Sequence, residues 1–184
     1  MFIPIVIFFS IWLAISDATW FRWTHNALSD LGVEGISALF FNNGIIFGGV
    51  LAFIFSIGLT KFLKNKVGAY LLAISSLALM GAGLFPKTIF ALHYVSSIIF
   101  FVFLTIALFI IGFSLRNEGM EKPLGIIAII LAVFACSSLF FQNFLNGIAI
   151  PEAIVCFPAF IWFMMVGLKM TFNHKSDKRF LQNQ

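Results

Sequence analysis

Along this chain apolar residues run without interruption for the length of a helix, and polar residues are confined to short breaks between the runs. Six runs stand out, at 2–16, 37–59, 67–84, 88–115, 123–141 and 151–171. They show neither the alternation of a half-buried strand nor the narrow apolar stripe of a helix on a soluble core. A hydrocarbon layer about 30 Å thick is crossed by roughly 20 apolar residues in a helix. Inside lipid every backbone N–H and C=O must pair within the protein, which leaves helices or a closed barrel. Continuous rather than alternating runs select helices. The pattern predicts an all-α protein, a six-helix transmembrane bundle forming a single integral domain over 1–184, with an interfacial first outer loop and a basic tail at 172–184. The first run is short. It lacks the basic residues that precede the apolar part of a secretory signal, so it reads as a true span, extended by the aromatic residues that follow.

Composition agrees. Charged residues are 10% of the chain and hydrophobic ones 61%, whereas a soluble domain carries about 25% charge. Six spans put both termini on one side. The breaks on that side hold Lys61, Lys64, Lys66, Arg116, Lys122, Lys169, Lys175, Lys178 and Arg179, and the other side holds only Arg22 and Lys87. The positive-inside rule then predicts a plasma-membrane protein with both termini cytoplasmic. The outer breaks carry Asp17, Asp30, Glu34 and Glu152, so that side is acidic. The basic clusters read as determinants of this topology, and no nucleic-acid partner is expected. Cys136 and Cys156 lie inside apolar runs and read as small buried hydrophobes. The spacing gives no disulfide framework and no zinc motif, so neither metal nor cofactor is expected. There is no internal repeat to suggest an inverted-repeat transporter.

The remaining polar residues are the candidates for chemistry. The first outer loop, 16–37, contains Trp20, Phe21 and Trp23, which suit the headgroup level. It also holds Ser29, Asp30, Gly32 and Gly35, which read as a turn in which Asp30 satisfies backbone donors. Ser37 is expected to cap the second helix. Asn42 and Asn43 then lie roughly 8 Å deeper, followed by Gly44 and Gly48, a spacing that lets helices approach closely while Asn bonds across the contact. Pro86 ends the third run, beside Lys87. Thr88 is expected to cap the fourth helix, and His93 sits at the depth of Asn42, with Ser96 and Ser97 one turn on and on its face. An ionisable residue at membrane depth is a site candidate by default, against a neutral His bonded to a neighbouring helix. The fifth run offers Ser138 and Gln142, with Asn146 beyond. Glu152 follows Pro151, an ordinary helix start in which Pro takes the first position and the acid meets the dipole. Pro158 is expected to kink the sixth helix.

Ser29, Asp30, Asn42, Asn43, Lys87, His93, Gln142 and Glu152 all fall at the outer end. An unpaired polar group in lipid costs several kcal/mol, so one shared outward-opening cluster is the expected arrangement. Helix ends are more polar than helix middles in any membrane protein, and that alone also gathers polar residues there.

The stretch Asn26-Ala-Leu-Ser-Asp-Leu-Gly32, then Phe41-Asn-Asn-Gly44 with Gly48 and Gly49, then Gly83-Leu-Phe-Pro86 with His93 opening the next helix, resembles the six-pass membrane family DUF998. The resemblance covers nearly the whole chain. It implies a prokaryotic cell membrane and brings no reaction with it. Three functions compete. The first is a binding or accessory protein whose cluster holds a lipid headgroup, a small amphiphile or a neighbouring subunit of a membrane complex. The second is an intramembrane lipid hydrolase in which Asp30 orients His93 as base or metal ligand and Ser29 serves as nucleophile. The third is a small transporter, which would want ionisable residues near the midplane; the run centres carry none. The binding reading is preferred.

Overall fold

A computed structural model describes residues 2–117, 119–141, 144 and 146–182, and the side chains among them except those of 120, 139–141 and 173–182. Among the described residues there are six α-helices and no strand. They are α1 (Ile3–Asp17), α2 (Gly35–Phe62), α3 (Val67–Leu84), α4 (Phe90–Leu115), α5 (Lys122–Phe141) and α6 (Ala149–Gln182). Short 3-10 turns occupy Leu28–Gly32 and Gly119–Glu121. Four helices are long and apolar enough to cross a membrane, namely α2, α3, α4 and the Ala149–Phe172 part of α6. The apolar helices Ile3–Asp17 and Lys122–Ser138 are shorter. The protein is a membrane protein.

Each helix packs on the next in sequence, and α6 closes the ring on α1 and α2. Small residues set the closest approaches. A Cβ on Gly44 would lie 2.1 Å from Cβ of Ser10, and one on Gly48 would lie 2.3 Å from Cγ1 of Ile7, so α1 rests on α2 backbone. Gly44 and Gly48 thus do the packing that their spacing suggested. At the opposite end of the bundle Gly112 of α4 and Gly125 of α5 face each other, and a Cβ on Gly112 would sit 2.8 Å from the Gly125 carbonyl oxygen. Trp162 Nε1 of α6 donates to the Leu124 carbonyl of α5 at 2.9 Å. Lys169 of α6 pairs with Glu121 at 2.7 Å.

Several expected helix starts differ. Ser37 does not cap α2, which begins two residues earlier at Gly35 in a left-handed conformation, φ 74°. Its first-turn donors are served from outside: the Ser37 N–H donates to Asp17 Oδ2 at the end of α1, at 3.1 Å. Thr88 does not cap α4 either. That helix starts at Phe90 after Ile89, without a side-chain cap. α6 begins at Ala149, before Pro151, and continues through Pro158.

Candidate functional site

The first loop is fastened to the N-terminus of α6. The Gly147 N–H donates to the Thr24 carbonyl at 3.0 Å and the Ala149 N–H to the Asn26 carbonyl at 2.9 Å. Gly147 is required here, because a Cβ would stand 2.3 Å from the carbonyl carbon of His25. One turn into α6, Glu152 Oε2 accepts the Leu28 N–H at 2.7 Å. Within the loop, Asp30 Oδ2 accepts the Ala27 N–H at 2.8 Å and the Asn26 amide at 3.3 Å, while Oδ1 pairs with the Lys87 ammonium. Burial alone would raise the Asp30 carboxyl. The Lys87 ammonium, the Ala27 N–H and the Asn26 amide outweigh it and hold Asp30 below its ordinary value. Asn42 donates to the Gly32 carbonyl at 2.9 Å and pins the end of the same turn to α2.

His93 sits in the first turn of α4 and is buried. Its Nδ1 lies 2.9 Å from the Phe85 carbonyl and 3.2 Å from that of Ala82, at the C-terminus of α3. Both partners only accept, so Nδ1 carries the proton. The imidazole therefore caps α3 from the next helix, where the last carbonyls of a helix lack partners. Its Nε2 has no protein partner among the described residues.

These groups form the wall between two spaces. The inner one, about 60 Å³, lies among α1, α2, α3, α4 and α6 and is lined mostly by apolar side chains, with Ser29, His93, Ser97 and Glu152 as its polar members. The outer one is a groove of about 600 Å³ between α4 and α6, with α5 behind. At its loop end stand Ser29, Lys87, His93, Tyr94, Ser97 and Glu152. Away from that end the walls are Phe101, Val102, Ile106, Ala135, Cys136 and Val155, with Thr105, whose hydroxyl donates to the Phe101 carbonyl of its own helix. On α4 the lining recurs at 90, 94, 98, 102 and 106, one helical stripe. From 90 to 106 that stripe is about 24 Å long. Phe90, Tyr94, Ile98, Val102 and Ile106 are exposed, so the groove opens sideways.

The expected cluster therefore forms in part. Ser29, Lys87, His93 and Glu152 share the groove. Asp30 and Asn42 build the loop that roofs it. Asn43 does not belong: it is exposed and donates to the Leu39 carbonyl of its own helix at 2.8 Å. Gln142 lies outside the described residues. Ser96 and Ser97 diverge, since Ser96 faces Gly81 of α3 and Ser97 faces the groove. Asp30 does not orient His93, because its oxygens are taken by Lys87, Ala27 and Asn26 and the imidazole is held by carbonyls. Among the described residues no three His, Cys, Asp or Glu side chains gather as a metal set. Sequence reasoning passed over Phe90, Tyr94 and Phe101, and it read Cys136 as a buried hydrophobe, whereas Cys136 is exposed on the groove wall and only Cys156 is buried. The signal of the three aromatic residues was the four-residue spacing along α4, which resembles any lipid-facing stripe.

The sequence model of the family described as protein of unknown function, DUF998, matches residues 1–169. The chain belongs to the DUF998 family. No curated protein and no solved structure matches it. In this DUF998 chain the matched region takes in the roofing loop, the groove and the glycine contacts of α1 with α2.

Proposed function

We propose that this membrane protein binds a single-chain amphiphile in the groove between α4 and α6, with its headgroup among Lys87, His93 and Glu152 and its tail along α4. One observation carries the reading: a groove about 24 Å long whose charged residues, Lys87 and Glu152, stand at one end and which opens to the side. A polar small molecule would leave the apolar walls wetted, and a purely apolar one would give nothing to the Glu152 oxygen that the Leu28 N–H leaves open. An amphiphile satisfies both ends. The volume, about 600 Å³, lies in the range of small-ligand sites.

We place the polar end at the outer face of the plasma membrane. The nine basic residues of the opposite breaks support that orientation. The hydrolase reading loses its base–carboxylate pair, since Asp30 serves Lys87 and the loop. His93 is a helix cap and a groove wall.

Native mass spectrometry of the full chain released from its membrane tests the binding. One amphiphile per chain is expected on the wild type. Cys136→Trp, at an exposed position on the groove wall, fills the middle of the space and should lose it while the melting temperature stays unchanged. Equal retention by the folded variant would refute the proposal.

A further inference from the structure

The proposed occupant has a headgroup whose chemistry the wall restricts, and this inference rests on the amphiphile reading above. We infer that the groove selects a headgroup that is cationic and donates hydrogen bonds, such as a primary ammonium, over a phosphate or a carboxylate.

The argument is a count of what the wall leaves unpaired. Lys87 is the cation of the groove lining, and its charge is already matched by Asp30 behind it. Glu152 is the acid of the lining. One of its oxygens accepts the Leu28 N–H, and among the described residues no cation pairs with it. With Glu152 ionised, Asp30, Lys87 and Glu152 together leave the headgroup end with one excess negative charge. A cation brought against Glu152 favours its ionised form and gains a charge-assisted hydrogen bond. An anionic headgroup would have to draw Lys87 from Asp30 and lie beside Glu152.

The neutral groups point the same way. With Nδ1 protonated and given to the α3 carbonyls, a neutral His93 offers only a lone pair at Nε2. Ser29 and Ser97 supply hydroxyls that accept as readily as they donate. At the rim Phe90 and Tyr94 stack with their centroids 5.6 Å apart and their planes 10° apart, both exposed toward the groove mouth. Aromatic faces in that position attract a desolvated ammonium.

Cys136 provides the readout, because it is exposed on the groove wall while Cys156 is buried. The full-length Cys156→Ala protein is reconstituted and the rate of N-ethylmaleimide labelling at Cys136 is followed with increasing dodecylamine, dodecanol, lauric acid or monododecyl phosphate. These share one chain length and differ in headgroup. Dodecylamine should protect at about tenfold lower concentration than lauric acid or the phosphate, the size of one charge-assisted hydrogen bond. Glu152→Gln keeps an acceptor for the Leu28 N–H and removes the charge, so it should bring the amine to the level of dodecanol.

Protection by all four at equal concentrations would leave the amphiphile site standing and overturn the headgroup selection. So would an amine preference that survives in folded Glu152→Gln. Protection by none would overturn the site itself.

Discussion

The two halves of the bundle are built on opposite terms. Where α1 meets α2, glycines let side chains of one helix rest on the backbone of the other: Gly44 under Ser10 and Gly48 under Ile7. At the loop end, α4, α5 and α6 offer no glycine over 90–106, 126–141 and 149–166. They close at the far end, where Gly112 meets Gly125 and Trp162 bonds to Leu124. Above that closure the space between them is the groove. In lipid there is little hydrophobic force to close such a space, since acyl tails are as apolar as the helix faces. The lesson is that the position of small residues decides where a membrane bundle is solid and where it can take a guest.

The largest effect should come from the solid half. Gly48→Leu drives a side chain into Ile7 and should cost about 3 kcal/mol, read as a lowered melting temperature in detergent. Val102→Trp, an equal or larger insertion on the groove wall, should stay within about 0.5 kcal/mol. If both destabilise alike, the contrast between the halves is wrong.

Next comes the roof. Asp30→Ala removes the acceptor for the Ala27 N–H and the partner of Lys87, and should cost about 1 to 2 kcal/mol. Lys87→Ala should cost under about 1 kcal/mol, because its ammonium is partly exposed and the pair is screened by water. Proteolysis of the 16–37 loop in each variant checks the order; cleavage that is faster in Lys87→Ala than in Asp30→Ala would reverse the roles assigned here.

The smallest effect is in pH. Asp30 is held below its ordinary range in the folded protein, so its contribution is complete above the unfolded carboxylate value of about 3.9. It is lost as pH falls through the lowered folded value. Loop protection in the wild type should therefore show a step in strong acid, and Asp30→Asn should remove it. A step that persists in Asp30→Asn would belong to another group.

The architecture was legible because the membrane enforces it: continuous apolar runs allow little else, and the helices lie on those runs. Gly44 and Gly48 were legible because packing needs small residues at one spacing. Helix starts were read less well. Ser37 looked like a cap, yet the donor is served by Asp17 of the preceding helix, a tertiary contact that local sequence does not carry. The site was legible by depth but not by direction. Asn42 and Asn43 are adjacent in sequence and lie about 100° apart on a helix turning 3.6 residues per turn, so one pins the roof and the other faces outward. His93 was singled out by its depth, but its bond to the α3 C-terminus depends on how the break at Pro86 folds back. Tyr94 and Phe101 were hidden among many aromatic residues of the same chain.

The most direct test is a density map of the full chain purified with its native lipids. The account predicts an elongated density lying along α4 from Phe90 to Ile106, with its bulky end against Glu152 and His93. A groove closed by its own side chains, or filled by a helix of another subunit, would contradict it.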